Sequence, residues 1–244
     1  MRRFSFCLFF AAAACAGPAN AASSKASYPK LETAMPAAMT GPVSTAVDIF
    51  KQTSPSIYLI VAAKNAEGLK RGKDVYEGSA VAITPTLALT NCHIVNKREA
   101  LILVQGKQKD MVTVVASDPK TDKCIIQAQT MKLRPISGVR PYDDIAVGEK
   151  VYTIGNPSGL VGTLSEGIVS GLRTQKGVRY VQTSAPISPG SSGGGLFDER
   201  GNLLGITSFK IEDAENLNFA IAAEDYWGKA HKKRRSRRKD DQGE

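Results

Sequence analysis

Histidine is nearly absent from this chain of 244 residues, which holds only His93 and His231, and cysteine is scarce at four. No metal-ligand cluster and no nucleotide motif is visible, so neither a metal nor another cofactor is expected. Helical periodicity is equally sparse. Val43, Ala46, Val47 and Phe50 mark one short helix leading into a first strand at Ser56-Ile57-Tyr58-Leu59-Ile60-Val61, and few other stretches repeat at the helical period. With glycines and prolines spread as many short turns require, the chain reads as all-β, and its length suits one domain once both ends are set aside.

Long apolar runs are also missing. The run at residues 4–16 is too short to span a bilayer comfortably. Preceded by Arg2 and Arg3 and followed by the small-x-small triplet Ala19-Asn20-Ala21, it reads as an export signal over residues 1–21. The mature protein is then expected to start near Ala22 and to be periplasmic or secreted. The alternative is a lipoprotein signal acylated at Cys15, but the Ala-Ala-Ala before it lacks the usual Leu. Residues 22–42, rich in Ala, Ser, Pro and Met, read as a flexible lead-in.

Net charge is small in the middle of the chain. The formal net charge is +9, but residues 229–244 carry eight Lys or Arg against Asp240, Asp241 and Glu244, and Arg2 and Arg3 lie in the signal. The high pI is thus mostly a property of the tail, which has nothing to bury and is expected to be disordered. Such a tail suits anionic lipid, envelope polysaccharide or nucleic acid as a partner, with a plainly solvated segment as the alternative.

What is present is a serine among glycines, Pro189-Gly190-Ser191-Ser192-Gly193-Gly194. A serine hydroxyl is a weak nucleophile unless a base takes its proton and donors stabilise the oxyanion that forms. Freedom from Cβ crowding at Gly190, Gly193 and Gly194 lets the N–H groups of Gly190 and Ser192 converge as an oxyanion hole. The segment lies between strand-like Tyr180-Val181-Gln182-Thr183 and Leu203-Leu204-Gly205-Ile206-Thr207-Ser208-Phe209, which makes it a connection inside a sheet rather than a linker.

A base follows from the same scarcity of histidine. His93 ends the hairpin formed by Ala80-Val81-Ala82-Ile83 and Leu87-Ala88-Leu89-Thr90 around a Thr84-Pro85-Thr86 turn, whereas His231 lies in the basic tail. A third group must hold the imidazole in the right tautomer. Asp118 precedes Pro119 and looks like a turn residue, so Asp122, opening the next strand, takes the orienting role.

These residues carry a family resemblance. Gly78-Ser79-Ala80, Leu89-Thr90-Asn91-Cys92-His93-Ile94-Val95, residues 118–126, Ile154-Gly155-Asn156-Pro157-Ser158-Gly159, Glu166-Gly167-Ile168-Val169-Ser170 and residues 182–194 resemble, in order, the landmarks of the trypsin-like serine proteases, specifically the HtrA/Deg branch. The resemblance implies a chymotrypsin-like double β-barrel with the active site between the barrels. The domain would span residues 43–228, with barrel one at about 43–140 and barrel two at about 141–228. It implies a serine endopeptidase that cleaves polypeptide substrates through an acyl-enzyme, with His93, Asp122 and Ser192 as the catalytic triad. Ser191 stands where the family usually has Asn, and Gly195 where it often has Pro, and neither change removes a catalytic group. Members usually continue into PDZ domains, and with sixteen residues after Gly228 a protease domain without one is expected.

Alignment with the family's substrate-pairing strand puts Ser208, Phe209 and Lys210 along an extended peptide held by main-chain hydrogen bonds. It puts Pro186 near the base of the S1 pocket and Asn218 and Ala220 on its wall. A base without Asp implies a small or aliphatic P1 residue. Lys210 at the rim makes an acidic P1 the alternative. Removal of the signal leaves Cys92, adjacent to His93, and Cys124, two residues beyond Asp122. If His93 and Asp122 touch, their neighbours should too, and a Cys92–Cys124 disulfide is expected in an oxidising compartment. The rival readings are a catalytically silent protease-fold binding protein and an envelope or nucleic-acid adhesion protein acting through the tail.

Overall fold

The structure, a computed structural model, describes residues 31, 33–157, 162–210 and 217–227. The export signal with Cys15, residues 22–30 and 32 of the lead-in, and the basic tail lie outside the described residues.

Twelve strands form two closed antiparallel barrels, as the sequence led us to expect. The first is ordered β1-β2-β3-β6-β5-β4, with β1 Ile57–Ala63, β2 Val75–Ala82, β3 Leu87–Asn91, β4 Ala100–Gln105, β5 Gln108–Asp118 and β6 Lys123–Ala128. The second is ordered β10-β11-β12-β9-β8-β7, with β7 Lys150–Gly155, β8 Thr163–Gln175, β9 Val178–Thr183, β10 Gly195–Asp198, β11 Leu203–Lys210 and β12 Asn218–Ala222. Alternation of side chains along each strand sends one set inward and the other outward. Tyr58, Ile60, Ala80, Ala82, Ile126 and their neighbours fill the first barrel, and Val151, Val169, Val181 and Leu196 fill the second. A third apolar cluster, including Val81, Leu89, Ile125, Ile154, Phe197, Leu203 and Trp227, joins residues of both barrels and seals the space between them.

The expected short helix is α1, Ala46–Thr53, capped by the Thr45 side chain, which accepts from the Asp48 N–H. A second helix, α2 at Ala66–Arg71, is not one that periodicity reveals, because it buries no residue. Its ends are nonetheless marked in the chain: Asn65 accepts from the Gly68 N–H, and Gly72, at φ +63°, stops it. Residues 36–42 of the lead-in lie against the second barrel and the turn after β10. Met39 is bound through both its N–H and its C=O by Asn202, Val139 N–H donates to Pro36, and Arg200 Nε donates to Gly41.

One detail positions the site. β2 pairs with β1 from Val75 to Val81 but with β3 only at Val81 and Ala82. Its first half therefore has an open edge, which faces the cleft between the barrels. Ser79 closes one point of that edge by donating its N–H to Ser192 at 2.7 Å.

Candidate active site

His93 sits in α3, a single turn at Cys92–Val95 directly after β3. Asp122 immediately precedes β6 and has φ +56°, a left-handed conformation that aspartate tolerates better than most residues. The β3–β6 pairing of Asn91 with Lys123 brings the two together. Asp122 accepts from His93 twice, from the backbone N–H at 2.9 Å and at the ring Nδ1 at 2.8 Å. Its own backbone carbonyl accepts from Cys92 N–H and Asn91 Nδ2. The imidazole is thus fixed at one nitrogen while its side chain remains about half exposed to the cleft (51%). Cys92 and Cys124 are joined by a disulfide with a Cα separation of 4.9 Å, tying α3 to β6 beside this pair. Asp118 is the turn residue anticipated, bound to Lys120 N–H and Thr121 Oγ1.

Ser192 comes from the loop before β10, in the other barrel. The loop is held by Thr207, whose carbonyl accepts from Gly193 N–H at 2.7 Å and whose N–H donates to Gly194 at 2.9 Å. Gly193 has φ +85°, and a Cβ there would lie 1.9 Å from the Ser79 carbonyl oxygen, so glycine is required. Gly190 adopts φ +92°, and among the described residues neither its N–H nor that of Ser192 donates to a protein acceptor. Those two donors remain available to a ligand. The Ser192 hydroxyl donates to the Ser208 carbonyl at 2.8 Å.

Three neighbours make contacts that sequence reasoning did not anticipate. Ser79, fully buried, donates its hydroxyl to the Gly190 carbonyl at 2.9 Å and accepts from the Asn156 N–H, so it fixes the loop that carries the free amides. Ser208, expected only along the substrate strand, also donates its hydroxyl to Asp122 at 3.0 Å. A bulge in β11 between Thr207 and Phe209 leaves Ser208 unpaired with β12 and re-aims it. Arg98 caps the turn carrying His93, donating to the carbonyls of His93 and Ile94 at 2.8 Å. A basic residue just past a helix end is the signal that could have found it.

Of the other anticipated residues, Phe209 is 40% exposed and stacks on Phe219 at 4.9 Å, with Tyr180 edge-on to it. Burial, with the negative charge of Asp122 second, pushes the Tyr180 hydroxyl pKa up. Asn218 is buried and donates to the Thr183 carbonyl, while Ala220 is buried in the interior of the second barrel. Pro186 is exposed and its carbonyl accepts from Thr153. Lys210 ends β11, paired with Asn218.

The trypsin-like peptidase domain matches residues 78–206, more than half of the chain. Serine protease Do-like HtrB of Bacillus subtilis is 32% identical over 151 residues, covering 56% of this chain and 33% of that one. Periplasmic serine endoprotease DegP of Salmonella typhimurium is 33% identical over 154 residues, covering 59% of this chain and 32% of that one. The chain thus matches about a third of the length of these curated relatives. Among solved structures, the HtrA-type protease AlgW with a tripeptide superposes with a TM-score of 0.67 at 27% identity, over 75% of this chain and 62% of that one.

Proposed function

The chain belongs to the trypsin-like peptidase family, with HtrA-type proteases as its neighbours, and on that premise we propose that it is an exported serine endopeptidase acting on polypeptides. The observation that carries the proposal is the His93–Asp122 pair. An imidazole gripped at Nδ1 by a carboxylate keeps its Nε2 free to accept a proton, as a general base must.

The mechanism proceeds through an acyl-enzyme. A substrate enters extended along β11, and a peptide N–H takes the Ser208 carbonyl in place of the Ser192 hydroxyl. The freed hydroxyl turns to His93 Nε2. As Ser192 Oγ bonds to the scissile carbonyl carbon, its proton passes to His93, and Asp122 stabilises the resulting cation. Charge on the carbonyl oxygen is met by the unspent N–H groups of Gly190 and Ser192. His93 then gives its proton to the departing amine. Water deprotonated by the same imidazole releases the acyl group from Ser192.

Pro186 and Asn218 bound the S1 pocket in this proposal, with no acidic residue beside them, and a small or aliphatic P1 residue is preferred. The periplasmic relative and the signal-like residues 1–21 support export. Among the described residues no helix is long and apolar enough to cross a membrane.

The test is labelling with a fluorophosphonate probe followed by peptide mass mapping. Label on Ser192 in the wild-type protein, lost in Ser192→Ala and strongly reduced in His93→Ala, is the expected result. Folded wild-type protein that takes no label would overturn the proposal and favour the binding-protein reading.

A further inference from the structure

Beside the Gly190 turn lies a cleft of about 350 Å³ lined by Val75, Tyr76, Glu77, Pro189 and Gly190. It borders the open edge of β2. Because the Ser79 N–H leaves that edge for Ser192, strand alternation sends the N–H and C=O of Glu77, two residues earlier, to the same edge. The same period fixes the side chains. Ala80 and Ala82 point into the first barrel, so Tyr76 shares their parity, whereas Glu77 shares that of Ser79, whose hydroxyl reaches Gly190.

This alternation separates two charges. Arg98 stacks over the Tyr76 ring at 3.6 Å and spends its guanidinium on the carbonyls around His93. Glu77 is exposed, and among the described residues its carboxylate has neither an ion-pair nor a hydrogen-bond partner. A single unneutralised carboxylate therefore stands on the cleft wall, one strand repeat of roughly 7 Å from the residue that contacts Ser192. An extended chain covers that distance in about two residues. The acyl side of a substrate is assigned to β11, which leaves this cleft for the departing side.

We propose that Glu77 is a specificity-determining residue that draws a lysine or arginine about two positions beyond the scissile bond. The proposal rests on the serine endopeptidase reading and is tested so that the two can fail separately. One substrate carries the acyl portion on a chromogenic anilide, with nothing beyond the cleaved bond. The others are internally quenched peptides identical except for Lys, Gln or Glu at the second position after that bond.

For the wild-type protein at low salt, kcat/KM is expected to be about three- to fivefold higher for Lys than for Gln, the range of an exposed ion pair, and lower still for Glu. The preference should shrink in about 0.5 M salt, where screening acts within a few ångströms. Within each variant the readout is the ratio between peptides, so a change in overall rate drops out. Glu77→Gln should flatten the series and Glu77→Lys should invert it. Equal rates for Lys, Gln and Glu in a wild-type protein that hydrolyses the anilide would overturn the role of Glu77 alone. No hydrolysis of anilide or peptides by folded protein would overturn the endopeptidase reading and this inference with it.

Discussion

Asp122 concentrates more of the site's geometry than any other single residue. It holds a left-handed φ and receives two hydrogen bonds from His93 and a third from Ser208. Under the proposed mechanism Ser208 is a positioning residue, acting through Asp122. Its loss as a donor to a carboxylate is expected to lower kcat about tenfold, with KM little changed because the Ser208 carbonyl remains. Steady-state kinetics of Ser208→Ala checks this, and Ser208→Thr, which keeps a hydroxyl, should recover most of the rate. An unchanged kcat in Ser208→Ala would remove that role. Ser192 and His93 could be read from local pattern, one among glycines and the other at a hairpin end. Ser79 and Ser208 could not, since their contacts with Gly190 and Asp122 span 111 and 86 residues and no local spacing encodes them.

At the scale of elements, the site depends on α3 and β6 keeping their register. Five paired residues, from Leu87 with Gln127 to Asn91 with Lys123, align the strands, and the Cys92–Cys124 disulfide fastens their ends. A cross-link closing a separation of 32 residues restricts the unfolded chain, and its removal is expected to cost about 3 to 4 kcal/mol. Urea unfolding of the Cys92→Ser, Cys124→Ser double variant measures this. Wild-type protein reduced before denaturation should match it, and a midpoint unmoved by either treatment would show that the bond adds nothing. Elements also differed in how far they could be read. α1 turns Ile49, Phe50 and Thr53 inward and so repeats at the helical period, although Val43 and Val47 of the stripe read from the sequence are exposed, whereas α2 buries nothing and shows no stripe. The bulge in β11 leaves no mark in composition, because it is set by how the strand meets β12 and the Ser192 loop.

For the whole molecule, two barrels share one intervening core, and polar ties cross it. Tyr226, in the last described turn, donates its hydroxyl to Thr90 in the first barrel, and Lys123 donates to the Asp225 carbonyl. Arg179 on β9 grips Glu224 and Asp225, holding that turn to the second barrel. Global stability also carries a pH signature from Asp110. Burial raises its pKa, but hydrogen bonds from Met131, Thr130 and Gln129 outweigh that and leave it lowered. A carboxyl with a native pKa below its unfolded one stabilises the fold above the unfolded value, and that contribution is lost as pH falls through the native one. Asp110→Asn is therefore expected to lose about 2 kcal/mol at neutral pH and to show a shallower fall in stability on acidification. Denaturant midpoints across acid pH check the slope, and parallel curves for the two proteins would dismiss the effect.

The sequence by itself determined the scarcity of helix and the nucleophile, base and carboxylate candidates, because each rests on residue types at short spacings that local chain geometry interprets, while the two-barrel expectation came from the ordered landmarks of the family resemblance and the cysteine pair from the expected contact of His93 with Asp122. Tertiary structure alone decided how the site is braced and what borders it: Ser79 under the Gly190 turn, Ser208 on Asp122, Arg98 behind His93, and the open edge of β2 with Glu77 beside it. Those contacts arise from strand register and from the packing of one barrel on the other, quantities fixed only when residues a hundred positions apart compete for the same space.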